Sequence, residues 1–220
     1  MSEGYVRLPE GHRLFVRDEG KGPAVVLLHG FTGSGAALKG LAASMAGHRC
    51  IRVDLLGHGR SAVPPDGPLW SMEQGIRDLG CVLDHLQIPR AHLIGYSMGA
   101  RLGLGVSVCQ PERVDRCIWI GARAGIEDAA ERAARVRADG ALAQRILDEG
   151  LERFVDAWMA LPLFASQQRL GAVALAEARA ARLRNRPEGL AYSLRGMGAG
   201  AQPPWFVRLG GLRAPTLFVA

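Results

Sequence analysis

Lysine is almost missing from this 220-residue chain: only Lys21 and Lys39 occur, so 25 of the 27 basic side chains are arginines. Against 21 acids these leave a formal net charge of +6. No basic block exists either, because between Arg123 and Arg195 the chain carries 12 arginines and 10 acids. A nucleic-acid footprint needs a basic stripe with interleaved aromatics, so no nucleic-acid partner is expected. Apolar runs long enough for a membrane span are lacking, and the start, MSEGYVRLPEGHR, has no apolar stretch of the signal-peptide kind. Cysteine is scarce, and Cys50, Cys81, Cys109 and Cys117 show no CxxC or Cys/His ligand spacing. These absences predict a cytoplasmic protein with reduced thiols, no metal and no membrane contact.

What is present is ordinary for a folded domain: 48% hydrophobic and 22% charged residues. The length suits one buried core with room for an insertion. Tyr5 to Leu8 and Arg13 to Asp18 alternate around Pro9-Glu10-Gly11 and predict a β-hairpin. Ala24 to Leu28, AVVLL, is a continuous apolar run of the type buried on both faces in a parallel sheet. Helical patterns at 36–45, 71–86 and 100–109 alternate with strand patterns at 50–54, 91–95 and 116–120, and Ser71 is a candidate helix N-cap. That alternation predicts an α/β fold with a mostly parallel, doubly wound sheet. From Arg123 to about Gln202 the pattern is helical only, and a short apolar run, PTLFVA, ends the chain. The expected organisation is a core over 1–122, an inserted helical cap over 123–202, and a return to the core over 203–220 that ends in an incomplete strand.

Three local motifs carry chemistry. Gly95-Tyr96-Ser97-Met98-Gly99 is a G-x-S-x-G between a strand and a helix, the context of a nucleophile elbow that exposes Ser97 Oγ at a helix start. His29-Gly30-Phe31-Thr32-Gly33 directly follows AVVLL, where the loop supplies one backbone N–H of an oxyanion hole and the residue after the nucleophile supplies the other. Phe31 and Met98 are therefore the candidate oxyanion donors. His29 is expected to order its loop rather than to catalyse. The third motif, Asp54 to Ser61 (DLLGHGRS), reads as loop scaffolding.

LLHGFTGS, DLLGHGRS and GYSMGAR resemble the α/β-hydrolase superfamily. The later segments, with Arg135, Trp158 before Leu161-Pro162-Leu163-Phe164, Arg182-Leu183-Arg184-Asn185 and Gly189 to Gly198, resemble the 2-succinyl-6-hydroxy-2,4-cyclohexadiene-1-carboxylate synthases of menaquinone biosynthesis. The resemblance runs from about Val25 to the last residue, and Ala100 departs from it where a second glycine is common. It implies a lyase that eliminates pyruvate from a succinylated enolpyruvyl-cyclohexene carboxylate, without metal or organic cofactor. It also implies a small polycarboxylate substrate, held by Arg101, Arg135 and Arg182 and lined by Tyr96 and Trp158. Guanidinium forks suit that substrate because they bind carboxylates bidentately and stay charged. Arg132, Arg137, Arg184 and Arg195 remain possible substitutes for the cap arginines.

A histidine is lacking where this chemistry calls for one. In the fold the triad runs Ser, then Asp or Glu, then His, whereas all six histidines, His12, His29, His48, His58, His85 and His92, precede Ser97. The resemblance implies that the acid and the histidine lie in strands and loops after PTLFVA, about 40 residues at typical element lengths. The expectation is a C-terminally truncated family member whose last strands are missing and which is inactive or nearly so. A serine hydrolase acting on small esters or thioesters, and a non-catalytic binding fragment, are the alternatives.

Overall fold

A computed structural model describes residues 2–220. In chain order the elements are β1 (Ser2–Arg7), β2 (Arg13–Gly20), β3 (Ala24–Leu28), α1 (Lys39–Ala43), β4 (Arg49–Asp54), α2 (Met72–His85), β5 (Ala91–Tyr96), α3 (Met98–Cys109), β6 (Val114–Ile120), α4 (Ala129–Glu149), α5 (Leu151–Met159), α6 (Gly171–Arg182), α7 (Pro187–Met197) and β7 (Thr216–Val219). The strands form one sheet in the order β1-β2-β4-β3-β5-β6-β7. The β1–β2 hairpin and the β2–β4 pair are antiparallel. The pairs β4–β3, β3–β5, β5–β6 and β6–β7 are all parallel.

Strand β3 shows why an unbroken apolar run folds here. Val26 and Leu28 enter the main core with α2 and α3, while Val25 and Leu27 face the other way, with Cys50, Ile94 and Ala42 of α1. Both faces are thus buried, and alternation in polarity disappears. Beyond α1, that second face holds an apolar hollow of about 310 Å³ whose lining includes Val25, Met45, His92, Ile94 and Ile118. Helix α2 begins as its sequence predicts: Ser71 Oγ accepts a hydrogen bond from the Gln74 amide at 3.1 Å, and Ile76, Leu79 and Leu83 point into the core.

Two elements differ from the sequence reading by more than two residues. The helix expected over 36–45 is a 3-10 turn at Gly35–Leu38 followed by the single short helix α1. Gly35 is tied to β4 instead, its amide donating to Asp54 Oδ1 at 2.7 Å and its carbonyl accepting from Arg52 at 2.8 Å. Gly40 further weakens the helical preference. Strand β1 starts at Ser2 rather than at Tyr5, because its first four residues are exposed and carry no apolar alternation.

Helices α4 to α7 fill the interval between β6 and β7. Helices α4, α5 and α7 share a small core of Ala143, Ile146, Phe154, Val155, Leu190, Ala191 and Leu194. Asn185 ties them to the strand ends: its Oδ1 accepts from the Gly59 amide at 2.8 Å, and its Nδ2 donates to the Thr32 carbonyl at 2.8 Å.

Chain order along the sheet reverses at β3, which has β4 on one side and β5 on the other. Such a switch point leaves a crevice outside the carboxyl ends of the two strands. His29 to Gly33 leave β3 and Ser97 leaves β5 at that crevice.

Asp54, at the end of β4, braces the loops around the crevice. It is fully buried. Its carboxylate accepts from Arg17 Nη1 at 2.8 Å, from Gly35 N at 2.7 Å and from Arg60 N at 2.9 Å. Its carbonyl accepts from Ser61 Oγ. Asp54→Ala strands a cation and two amides, and an expected loss of about 3–5 kcal/mol follows from breaking a buried charge pair. Urea unfolding checks this, and a loss below about 1 kcal/mol contradicts the bracing role.

Candidate active site

The G-x-S-x-G segment folds into an abrupt strand-to-helix turn. Ser97 sits between β5 and α3 with φ 51° and ψ −110°, a left-handed backbone that a non-glycine residue adopts only when its surroundings impose it. Its amide donates to the Ile120 carbonyl at 2.8 Å, and its carbonyl accepts from the Arg101 amide at 3.0 Å. The imposing contact is at Gly99. A Cβ there would lie 2.6 Å from the His29 carbonyl oxygen and would also meet the Leu28 carbonyl, so only glycine lets α3 press this closely on the end of β3. Ala100, the departure from the family pattern, fits without exposure.

Beside Ser97 opens a cavity of about 480 Å³. Every site residue expected from the sequence lines it: Phe31, Tyr96, Ser97, Met98, Arg101, Arg135, Trp158 and Arg182. Of the arginines kept as substitutes, Arg132, Arg137, Arg184 and Arg195 do not line it. Arg123, which the sequence reading did not single out, does. The lining therefore holds four guanidinium groups and, among the described residues, no aspartate, glutamate or histidine. Phe31 packs edge-on against Trp158 with centroids 5.3 Å apart, and Trp158 lies 5.7 Å from Phe164, which gives the cavity an aromatic wall.

Burial shows in the protonation equilibria of two of these arginines. Burial pushes the Arg101 guanidinium down to about 10, with Arg135 adding repulsion and Asp139 opposing it. Burial also lowers Arg182, partly offset by Tyr96. Two buried donors in the wall, Arg182 Nε and Trp158 Nε1, have no acceptor among the described residues. Such orphaned donors are costly unless something accepts from them. At the floor, α3 begins at Met98, so the Met98 amide belongs to the first turn, which has no intrahelical acceptor. The helix N-terminus adds partial positive charge at the same place.

Several residues hold this machinery from behind. Arg101 Nη1 donates to Gln202 Oε1 at 3.1 Å, and Gln202 Nε2 donates to the Arg123 carbonyl at 2.9 Å. Arg135 Nε donates to Asp139 at 2.8 Å. Asn185 Nδ2 donates also to the Arg182 carbonyl at 2.9 Å. The pairing of Arg135 with Asp139 was visible as opposite charges four apart on a helix. No local pattern marks Gln202, whose partner is 101 residues away.

The two histidines nearest the crevice are structural. His29 Nδ1 lies 2.9 Å from the Gly30 carbonyl and its Nε2 accepts from the Leu55 amide at 3.0 Å, so both ring nitrogens are engaged in the loop. His58 Nδ1 lies 3.0 Å from the Leu56 carbonyl, and its ring meets Phe31 edge-on at 5.9 Å. Burial, then repulsion from His29, pushes His58 down to about 3. Burial likewise lowers His29. Each ring is neutral when folded but takes up a proton near pH 6.5 when unfolded. For His58 the unfolded state binds more protons between pH 6.5 and about 3, so its contribution is full above about pH 6.5 and is lost as pH falls toward 3, and His29 acts in the same direction. The slope approaches about 1.4 kcal/mol per pH unit for His58. Urea unfolding at pH 7 and pH 5 should show His58→Gln losing less stability on acidification than the parent; an equal loss contradicts the assignment.

A family model described as alpha/beta hydrolase fold matches residues 23–220. A Bacillus subtilis (strain 168) protein, provisionally named a 2-succinyl-6-hydroxy-2,4-cyclohexadiene-1-carboxylate synthase, is 40% identical over 216 residues, covering 97% of this chain and 79% of the relative. The synthase of that name from Salmonella newport (strain SL254) is 31% identical, covering 90% and 76%. Among solved structures, MenH from S. aureus superposes with a TM-score of 0.87 at 28% identity, over 93% of this chain and 79% of that one. An enol-lactonase from Burkholderia xenovorans LB400 shares the fold, with a TM-score of 0.80 at 22% identity over 98% and 80%. With the elbow, the parallel sheet and this span of similarity in agreement, the chain belongs to the α/β-hydrolase family and, within it, to the branch of the 2-succinyl-6-hydroxy-2,4-cyclohexadiene-1-carboxylate synthases.

Proposed function

We propose that the Ser97 cavity is built for a lyase reaction: elimination of pyruvate from a succinyl-enolpyruvyl-hydroxycyclohexene carboxylate to give 2-succinyl-6-hydroxy-2,4-cyclohexadiene-1-carboxylate. One observation carries the reading, namely four arginines and no acid lining a cavity with a serine elbow at its floor. A substrate with carboxylates on ring, succinyl arm and enolpyruvyl group supplies the anions that such a cavity lacks. Arg101, Arg135 and Arg182 take the carboxylates as bidentate forks, and Tyr96 and Trp158 pack against the ring.

In the reaction, Ser97 Oγ removes a ring C–H proton. The electron pair released moves into the ring, the C–O bond to the enolpyruvyl group breaks, and the departing enolate is protonated to pyruvate. Negative charge that develops on the substrate is met by the Phe31 and Met98 amides and by the start of α3. Electrostatic stabilisation of this kind needs neither metal nor organic cofactor. A free serine hydroxyl is too weak a base for the first step and needs an activating partner. No histidine lines the cavity, and His29 is occupied by its loop. Residues 1–220 alone are thus proposed to bind ligand and to turn over no faster than the residue left by binding and oxyanion stabilisation.

Calorimetric titration with 2-succinylbenzoate, a stable aromatic relative of the product, should show binding that weakens with added salt and falls at least about tenfold in Arg101→Ala, the cost of a lost charge-assisted bond. A spectroscopic assay for the cyclohexadiene on residues 1–220 should match a Ser97→Ala control. Salt-independent binding unaffected by Arg101→Ala, or hydrolysis of neutral p-nitrophenyl esters that survives that change, transfers the site to a serine esterase.

A further inference from the structure

One layer behind the cavity lining, bonded to Arg135, lies Asp139. This carboxylate is the one buried charged side chain of α4, the helix that also carries Arg135. One oxygen accepts from Arg135 Nε at 2.8 Å. The other faces the turn that follows α7, accepting from the Gly200 amide at 3.4 Å. That turn forms cavity wall, since Gly198 and Ala199 line it. It reaches α4 only because it is glycine: a Cβ on Gly198 would lie 2.5 Å from Asp139 Oδ2, and one on Gly200 2.5 Å from the Val136 amide nitrogen.

Arg135 needs such a partner. Its side chain is 46% exposed, and its side-chain hydrogen bond to Asp139 is what orders a long, rotamer-rich chain. Fixing Nε leaves the two terminal nitrogens as a fork of set plane. Freezing that geometry in advance removes an ordering cost from ligand binding.

Resting on the proposed polycarboxylate reading, we propose that Asp139 is a positioning residue, a buried hydrogen-bond acceptor that aims Arg135 into the Ser97 cavity. The sign of the effect separates this role from plain electrostatics. Deleting an acid makes the cavity more positive, and Coulomb attraction alone then predicts tighter anion binding. Positioning predicts weaker binding.

The test titrates 2-succinylbenzoate into the 220-residue chain, Asp139→Ala and Asp139→Asn, with circular dichroism confirming that each is folded. Asp139→Ala should bind about tenfold more weakly in spite of its added positive charge. Asp139→Asn keeps an acceptor for Nε, so it should stay within about twofold of the parent or bind more tightly. Affinity in Asp139→Ala equal to or above the parent overturns the proposal, and so does an equal loss in both variants. A ligand-free arm follows the Arg135 Nε–H resonance by NMR. Its protection from exchange should persist in Asp139→Asn and vanish in Asp139→Ala; protection that survives in Asp139→Ala overturns the positioning role. If the parent fails to bind the dicarboxylate while the resonance behaves as expected, the polycarboxylate reading falls and the brace stands.

Discussion

Like charge packed into one cavity is the constraint on which the rest of this structure depends. Arg101, Arg123, Arg135 and Arg182 come from four different segments and meet around Ser97. Burial disfavours the charged form of Arg101 and Arg182, and Arg135 adds repulsion at Arg101. Two of the four are held by neutral amide side chains. Gln202 holds Arg101, and Asn185 ties the end of α6, where Arg182 sits, to the loop after β3. The cap is thus more than a cover over the strand ends. It brings Arg135 and Arg182 into the cavity lining and has an apolar core of its own.

The serine obeys a second constraint, which is steric. Its backbone lies at positive φ because α3 starts against the carbonyl ends of β3 and β5, an approach open only to glycine at position 99. That strain is local and is held by the sheet beneath, through the Ile120 carbonyl on one side and the first turn of α3 on the other. The same turn puts Ser97 and the first residue of α3, Met98, side by side in the cavity lining. Under the proposed function, one geometric device serves both the nucleophile and its charge stabiliser.

How much of this was legible in the sequence follows the range of the interactions. Elements specified by near neighbours were readable: AVVLL as β3, the Ser71 cap of α2, and the elbow between β5 and α3. The helix expected over 36–45 failed because Gly35 bonds to Asp54 and Arg52, which lie on another strand. In the cavity, the arginines of the cap were found through resemblance, since on helices crowded with arginine no periodicity distinguishes one that faces a cavity from one that faces water. Arg123 escaped for the same reason. Gln202 and Asn185 act on partners more than a hundred residues away, and such pairs leave no trace in local pattern. Asp139 had a visible mate in Arg135, but what distinguishes it is burial beneath the Gly198–Gly200 turn, a tertiary property.

The same division explains why a chain with six histidines offers none to its serine. A histidine that serves as a base must keep one nitrogen directed at the nucleophile and be free to gain a proton. His29 spends both nitrogens on the Gly30 carbonyl and the Leu55 amide. His58 is held in surroundings so dry that its protonated form is suppressed to about pH 3. Burial has turned both rings into neutral packing groups beneath Phe31, where they fix the loop that carries a proposed oxyanion donor. Their neutrality matters, because one more cation beside Phe31 would add to a cavity already crowded with positive charge. Under the proposed function, a protonatable partner for Ser97 approaches from a side these two rings do not occupy, and the hydrogen bonds that disqualify His29 as a base are what tie the Gly30 loop to Leu55.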